Sequence, residues 1–353
     1  MATFPSVTVL PDKSLIASYR VGSTKDSDDE LIEFRRSSCL GDTWTEPSSP
    51  FDSTVDGKRG SLKCVYITCL PENHALACAL WVDREAYPGK PLFNPETEGC
   101  LPMAVLLADS FDCGKSWTPW RSVPVTEDIG PPSLTSPVLR LPTGELAISI
   151  ETNKPYRDHS KWCQHVVYLF SRDEGRTWSA PHTVSQDPEA RIFYWDQRAA
   201  VAEDGRVLAV SWVYDHAANV YLNMRRSISA DAGRSWSAPC DLGFADQPSH
   251  PAILPDGRVV LAWVDRFGTR SIRARIADAL DGEFRPESEV VIYDHELRQP
   301  SGTKNTGRML NEMSLWTYGL PYAEALPNGE VMIVYYAGDE TTMTVYWCRL
   351  SPD

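Results

Sequence analysis

At residues 171–178 the chain reads Ser-Arg-Asp-Glu-Gly-Arg-Thr-Trp, and the same spacing of Ser, Asp, Gly, Ser or Thr, and Trp occurs twice more. The other two copies are residues 110–117 and 229–236, and a degenerate copy at residues 37–44 has Cys39 in place of the Asp. In such a segment the Asp and Ser side chains can hydrogen-bond backbone groups of their own turn, Gly supplies a positive φ, and Trp packs under the hairpin. The phrase therefore predicts a β-hairpin that recurs along the chain, and it favours a structural rather than a catalytic role for its acids.

A second phrase, close to Leu-Pro-Asp-Gly, occurs six times between short apolar segments. Its copies are residues 10–13, 70–73, 141–144, 202–205, 254–257 and 326–329. Pro presets φ early in a tight turn, and Gly or Asn tolerates the left-handed conformation that the turn requires, so each copy predicts a hairpin. The segments that follow, such as 206–213 and 258–264, are almost continuously apolar, which is typical of strands covered on both faces. Hairpins spaced roughly 50 to 70 residues apart predict an all-β fold, a six-bladed β-propeller formed by residues 1–353 as one domain.

The chain of 353 residues carries a formal net charge of −14. This charge argues against nucleic acid or an anionic membrane surface as the main partner, because the field of the protein would repel both. The N-terminal residues show neither a basic segment nor an apolar run, so we expect a cytoplasmic protein. The nine cysteines are scattered and odd in number, and we expect them to be reduced. The sequence has no Cys-x-x-Cys spacing and no His pair at helical spacing, so neither a metal nor a cofactor is expected.

The last repeat unit contains three apolar segments before the chain ends at Asp353. Propellers usually close the ring by taking a strand from the other terminus. Either the last blade has three strands, or a segment that precedes residue 1 in a longer chain completes it. A polar segment at residues 304–312 precedes this unit and is expected either to cap the mouth of the channel or to be a surface loop.

In each of the six repeat units, polar side chains stand at the end of the apolar segment that follows the Leu-Pro-Asp-Gly-like turn. In a propeller the inner strands converge on a central channel, and functional groups from several blades gather at one mouth. A ring of acids and bases there favours a polyhydroxylated, anionic sugar, since arginine side chains bind carboxylates by paired hydrogen bonds. Charged strand ends that simply meet water are the alternative. The side chains predicted to bind substrate are Arg20, Arg84, Glu151, Lys154, Arg198, His216, His250, Arg266 and Arg270.

The eight-residue phrase resembles the Asp-box, or BNR repeat, of the sialidase (neuraminidase) superfamily, and the first unit resembles the first blade of exo-sialidases. The matching residues are 4–7, 16–20, 26–30, 35–37 and 43–44. The resemblance implies a sialidase-like propeller in which Arg20 binds the substrate carboxylate. It also implies that Asp26, Asp28 or Asp29 is the catalytic acid and base, while Thr3 or Phe4 stands where the family has its first arginine.

The fourth and sixth units resemble the part of the family that supplies the nucleophile. Asp196 falls at the position of a family Glu that activates a nucleophilic tyrosine, and Tyr318 or Tyr322 corresponds to that tyrosine. A sialoside carries a carboxylate on its anomeric carbon, which repels an anionic nucleophile, and a tyrosine hydroxyl deprotonated by a neighbouring carboxylate avoids this repulsion. An Asp then protonates the leaving oxygen and later activates water.

The resemblance also locates the other two arginines that bind the substrate carboxylate in the family. Trp212 occupies the second position, with Arg198 or Arg225 as the side chains that could reach the same space. Arg270 is similar to the third arginine.

The sequence therefore predicts a carbohydrate-active hydrolase that acts on a glycan or glycoside. The specific expectation is a sialidase-like, retaining exo-glycosidase that removes a terminal acidic or unusual sugar. A related propeller lyase or a non-sialic glycosidase is one alternative, and a non-catalytic glycan-binding propeller is another, because architecture does not fix function. Thr3 and Trp212 favour the binding protein, whereas Arg20 and Asp196 favour the enzyme.

Overall fold

The computed structural model describes residues 1–295 and 306–352, and nearly all of its regular structure is β-strand. The strands form six antiparallel sheets that follow one another along the chain as the blades of a β-propeller. The predicted all-β, six-bladed fold is confirmed.

The first three blades contain the strands of residues 2–186. Blade 1 comprises β1 (Ala2–Val9), β2 (Leu15–Val21) and β3 (Leu31–Ser37). Blade 2 comprises β4 (Thr54–Val55), β5 (Lys58–Cys69), β6 (Ala75–Asp83), β7 (Met103–Ser110) and β8 (Arg121–Ser122). Blade 3 comprises β9 (Leu139–Arg140), β10 (Leu146–Glu151), β11 (His165–Ser171) and β12 (His182–Gln186).

The other three blades complete the ring. Blade 4 comprises β13 (Ile192–Val201), β14 (Val207–Asp215), β15 (Val220–Ser229) and β16 (Cys240–Asp241). Blade 5 comprises β17 (Gln247–Pro248), β18 (Ala252–Ile253), β19 (Val259–Asp265), β20 (Ser271–Ala277) and β21 (Val290–Asp294). Blade 6 comprises β22 (Tyr318–Ala325), β23 (Val331–Gly338) and β24 (Met343–Leu350). Helix α1 (Thr306–Glu312) and the 3-10 turns Glu127–Ile129, Pro286–Ser288 and Met313–Leu315 lie between strands.

The six predicted turns each join an inner strand to the second strand of its blade. Gly205 and Gly257, for example, have φ of 89° each, a conformation that glycine adopts without steric cost. The second strands are buried along nearly their whole length, as β6 and β14 show. Their apolar side chains fill the space between neighbouring blades, so the core consists of layers between sheets.

Each copy of the eight-residue phrase that resembles an Asp-box packs against the preceding blade and links the two sheets. In the box of blade 2, Asp112 Oδ1 accepts the backbone amide of Ser116 at 2.9 Å, and its Oδ2 accepts the hydroxyl of that residue at 2.6 Å. The carbonyl of Cys113 then accepts a hydrogen bond of 2.7 Å from Arg36 of blade 1. The interpretation of these acids as structural is in keeping with this geometry.

The ring closes by contacts between blades 6 and 1. The backbone amide of Val9 in β1 donates to Glu324 Oε1 in β22 at 3.2 Å, and Arg349 of β24 forms an ion pair of 2.9 Å with Asp42 in the degenerate box. The sheet of blade 6 contains three described strands.

All nine cysteines are free in the structure. Across residues 1–295 and 306–352, the longest helices fall far short of the apolar length that a membrane span requires.

Candidate active site

A cavity of about 210 Å³ opens at the end of the propeller where the second strands end. Its polar lining comes from blades 1 to 5, and its apolar lining comes largely from blades 2, 4 and 6 and from the segment around α1. Of the predicted substrate-binding residues, Arg20 and Glu151 reach this cavity directly, as do two of the predicted catalytic residues, Asp26 and Asp196.

Bulges in the inner strands determine which side chains point into the cavity. The pairing between inner and second strands is interrupted in blades 1, 2, 4 and 6. Phe4, Asp196 and Leu320 lie within these interruptions with positive φ of 52°, 48° and 46°, and Lys63 lies in the interruption of blade 2. A bulge bends the strand and re-aims a side chain, and non-glycine residues at positive φ concentrate at functional sites. All four side chains line the cavity.

Two carboxyl groups from neighbouring blades face the cavity side by side. Glu151 ends β10, and its Oε1 accepts hydrogen bonds from the Thr135 hydroxyl at 3.0 Å and from the Gln197 amide at 2.9 Å. Asp196 precedes Gln197 and forms an ion pair of 2.6 Å with Arg198, while the side chain of Gln247 donates to its other oxygen. The backbone segment 196–197 therefore carries one of the two carboxyl groups and binds the other.

The environments of these two carboxyl groups differ. Burial, and then the negative charge of Asp196, raise the pKa of Glu151 to about 8. The guanidinium of Arg198 instead stabilises negative charge on Asp196. At neutral pH Glu151 is thus largely protonated and can donate a proton. Asp196, paired with Arg198, lies next to it.

A network of three cations and two carboxylates forms the side of the cavity made by blades 1 and 2. Lys63 Nζ lies 2.5 Å from Asp26 Oδ1 and 2.8 Å from Glu30 Oε2, and Arg84 lies 2.8 Å from Asp26. Arg20 Nε lies 3.3 Å from Glu30. Although burial alone would raise it, the pKa of Asp26 is held well below its usual range by Lys63 and Arg84. At its exposed edge Arg84 also lies 3.6 Å from Asp28, so the formal charges of the network balance.

Arg20 is the member of this network that can bind a further group. Its guanidinium lies 4.1 Å from the centre of the Phe4 ring, and its Nε also donates to Thr3 Oγ1 at 3.1 Å. Its Nη2 donates to the Lys25 carbonyl, whereas its Nη1 has no hydrogen-bond partner among the described residues. A buried donor without a partner is costly, so a ligand oxygen at this atom would complete the site.

An aromatic wall lines the opposite side of the cavity. Trp162 lies beside Glu151, because its indole donates to the carbonyl of Thr152 at 3.3 Å. The centroids of Trp162 and Trp195 are 6.0 Å apart, those of Trp195 and Trp212 are also 6.0 Å apart, and Trp316 follows at 5.8 Å from Trp212. These four indoles come from distant parts of the chain and were not predicted as site residues.

The segment before blade 6 closes one side of the cavity. Leu310 of α1, Met313 and Trp316 line it, and Lys25 Nζ fixes the segment by donating to the carbonyls of Met313 and Trp316 at 2.7 Å each. Part of the polar segment predicted to cap the mouth is therefore helical and lies at the cavity, while its residues 304 and 305 fall outside the described chain.

Three of the predicted residues stand directly behind the cavity lining. Arg84 contacts Asp26, and Arg198 contacts Asp196. Arg266 is buried, with its guanidinium carbon 3.9 Å from the Trp316 ring centre. These residues position cavity groups rather than face the cavity themselves.

The other predicted residues lie away from the cavity. Asp28 is about half exposed beside Arg84 at 3.6 Å, and Asp29 is exposed and binds the amide of Ser23.

Lys154 donates to the Ser160 carbonyl at 2.7 Å. His216 pairs with Glu98 at 3.1 Å, Arg270 is exposed, and His250 lies in the axial channel below the cavity.

The two predicted nucleophilic tyrosines flank Leu320 and point elsewhere. Tyr318 stacks on His295 at 4.5 Å, and Tyr322 stacks on His250 at 4.6 Å. Burial raises the pKa of Tyr318 to about 12 and that of Tyr322 well above its usual value. Of the tyrosines that the structure describes, only Tyr336 of β23 lines the cavity.

The architecture is that of the sialidase-like six-bladed β-propellers. A protein of unknown function from Dyadobacter fermentans DSM 18053 superposes with a TM-score of 0.75 at 22% identity, over 99% of this chain and 94% of that one. The intramolecular trans-sialidase of Ruminococcus gnavus, in complex with oseltamivir carboxylate, superposes with a TM-score of 0.67 at 13% sequence identity. The superposition covers 100% of this chain and 95% of that one. The Penicillium chrysogenum α-L-arabinanase complexed with arabinobiose superposes with a TM-score of 0.64 at 16% sequence identity, over 98% of this chain and 93% of that one. The resemblance predicted from the sequence is thus confirmed at the level of the fold. At the level of sequence, no protein-family model and no curated protein matches the chain.

Proposed function

We propose that the protein is a glycoside hydrolase in which Glu151 and Asp196 carry out the chemistry. The observation that carries this proposal is their placement on one cavity wall, joined through the hydrogen bond from the Gln197 amide to Glu151. Glu151, whose pKa burial raises to about 8, would donate a proton to the leaving oxygen. The carboxylate of Asp196 would stabilise the positive charge that develops at the anomeric carbon. A water molecule would then form the new bond to this carbon and give a proton back to Glu151.

The substrate we propose is a terminal sugar with a negatively charged or strongly polar substituent. A cavity of about 210 Å³ suits one sugar unit rather than a chain, which favours exo action. The free Nη1 of Arg20 would receive the polar substituent, with Lys63, which pairs with the same Glu30 as Arg20, on that side of the cavity. Structural neighbours that are named as sialidases and as an arabinanase support the wider class of reaction.

Sialic acid itself is less well matched to this cavity. From the resemblance to sialidases we expect an arginine near Phe4, an arginine at the position of Trp212 and a tyrosine in the inner strand of blade 6. The cavity presents Phe4, Trp212 and Leu320 instead. We therefore favour a non-sialic sugar, and the retaining outcome stays a prediction.

The test uses a panel of 4-nitrophenyl glycosides that includes a sialoside, a uronide and a rhamnoside, with wild type, Glu151→Gln and Asp196→Asn. We expect release from one non-sialic glycoside, with kcat/KM reduced at least about 100-fold in both variants. Glu203→Gln alters an exposed carboxylate at the opposite end of blade 4 and should have wild-type activity. The assignment would be contradicted if Glu151→Gln and Asp196→Asn both still released 4-nitrophenol. It would also be contradicted if Asp29→Asn abolished this release. The absence of release from every glycoside would favour a lyase or a binding protein.

A further inference from the structure

Three parallel rings lead from the cavity towards solvent. The centroids of Trp212 and Tyr221 are 4.6 Å apart with an interplanar angle of 13°, and those of Tyr221 and Phe267 are 5.0 Å apart, also at 13°. Trp212 lines the cavity, whereas Phe267 is 43% exposed. The aromatic wall therefore extends beyond the cavity to the surface.

Trp316 connects the two ends of this ring stack. Its ring lies 5.8 Å from Trp212 and 6.4 Å from Phe267. Leu315, next to it in the chain, is 51% exposed. Together they give the cavity an apolar rim on the side of blades 5 and 6, continuous with the wall that begins at Trp162 beside Glu151.

The ring of Trp316 is held in place from behind. Arg266 stacks on it at 3.9 Å and is itself fixed by donating to the Tyr318 carbonyl at 2.8 Å and to Gln247 Oε1 at 2.9 Å. Lys25 donates to the carbonyl of Trp316. A rigid aromatic surface loses little conformational entropy when a ligand stacks on it, so more of the stacking energy contributes to affinity.

We infer that the rim binds the leaving group of the substrate through Phe267, and that this group has a flat apolar face. Phe267 is the exposed ring of the rim, while Tyr221 lies between it and Trp212, and the buried rings of Trp212 and Trp316 support it. The inference rests on the proposed hydrolase activity, because it assigns the sugar to the cavity and the leaving group to the adjoining rim. The leaving oxygen must lie beside the proton donor Glu151, and the aromatic wall starts there and continues to the surface. Both an aromatic aglycone and the apolar face of a second sugar ring have the required chemistry.

The test separates binding from turnover by using the Glu151→Gln protein, in which a neutral amide replaces the protonated carboxyl group. Calorimetry compares the phenyl glycoside, the methyl glycoside and a disaccharide of the same terminal sugar for each sugar of the panel. We expect the phenyl glycoside or the disaccharide to bind about tenfold more tightly than the methyl glycoside. Phe267→Ala should remove most of this advantage and leave the affinity for the methyl glycoside unchanged. An advantage of the phenyl compound alone identifies an aromatic aglycone, and an advantage of the disaccharide identifies a sugar.

Phe111→Ala provides the matched control, because Phe111 is a 65% exposed phenylalanine that stacks on His74 in blade 2. It should leave every affinity unchanged. Equal affinities for all three ligands, or an advantage that survives Phe267→Ala, would overturn the inference. If the ring-dependent advantage is present but no glycoside is hydrolysed by the wild type, the proposed hydrolase activity fails while the ring-binding rim stands.

Discussion

The Glu151 carboxyl group of blade 3 accepts a hydrogen bond of 2.9 Å from the backbone amide of Gln197 in blade 4. This contact crosses the gap between two sheets and fixes Glu151 against the bulge that aims Asp196 into the cavity. A backbone donor cannot rotate away as a side chain can, so the spacing of the two carboxyl groups is set by the packing of the blades. Their interaction makes the site sensitive to pH.

The first prediction concerns the pH dependence of activity. Because burial and Asp196 raise the pKa of Glu151 to about 8, this group loses its proton as the pH rises through that value. If Glu151 is the proton donor, kcat/KM should fall by about tenfold per pH unit above pH 8. A profile that stays flat to pH 10 would show that another group donates the proton.

The second prediction concerns stability and the same carboxyl group. Its pKa in the folded protein lies above the ordinary value of 4.5, so the folded state binds more protons than the unfolded state between these two values. The contribution of Glu151 to the free energy of unfolding should be fully present below about pH 4.5 and lost as the pH rises to about 8. Denaturant unfolding of wild type and Glu151→Gln across this range should show a difference that changes with pH. A difference that is independent of pH would contradict the raised pKa.

The third prediction concerns the buried pair of Arg198 and Asp196. Removing one partner of a buried ion pair leaves an uncompensated charge, which costs about 3 to 5 kcal/mol. Arg198→Met should therefore lower the free energy of unfolding by about this amount, and part of the effect also reflects the lost hydrogen bond of 2.8 Å to the Tyr66 hydroxyl. Combining Arg198→Met with Asp196→Asn should recover much of the loss. Additive effects in this double-mutant cycle would show that the two side chains are not coupled.

The fold could be predicted because its signals are local. A Leu-Pro-Asp-Gly turn or an Asp-box is encoded within eight contiguous residues, and six turns in register imply six hairpins. The strand-end positions of Arg20 and Glu151 were also predictable, since the end of an apolar run can be read from the sequence.

The inner strands could not be read in the same way. A bulge changes which side chain faces the cavity, so Leu320 occupies the place predicted for Tyr318 or Tyr322. Lys63 had a visible signal, as a lysine within an apolar strand, but the aromatic wall combines rings that lie far apart in the sequence. Only the packing of blades 3 to 6 brings Trp162 and Trp316 to the same cavity.

The fourth prediction concerns Lys25, which holds the segment of Met313 and Trp316. Burial, followed by the nearby Arg266 and Arg20, keeps the pKa of Lys25 well below its usual 10.5. The unfolded state then binds more protons, so the contribution of Lys25 to stability should increase as the pH rises towards 10.5. In Lys25→Met this pH dependence should disappear, and the loss of two hydrogen bonds should speed amide exchange at residues 313–316 by about tenfold. Unchanged exchange in this segment would show that Lys25 does not hold it.

The fifth prediction uses the intact Asp-boxes as templates for the degenerate one. In blade 1 the Cys39 thiol stands at 3.2 Å from the Thr43 amide and 3.1 Å from its hydroxyl, whereas Asp112 makes the equivalent bonds at 2.9 and 2.6 Å. A thiol is a weak acceptor and a carboxylate is a strong one, so Cys39→Asp should strengthen this turn. Because a Cβ at Gly41 would meet the side chain of Met332 in blade 6, the turn also lies at the closure of the ring, and its strengthening should raise Tm in scanning calorimetry.

Cys39→Ala, which provides no acceptor, should lower Tm, and the activity of both variants should equal that of the wild type because the box lies outside the cavity. A Tm for Cys39→Asp at or below that of Cys39→Ala would show that the thiol geometry at this closure cannot accommodate the carboxylate.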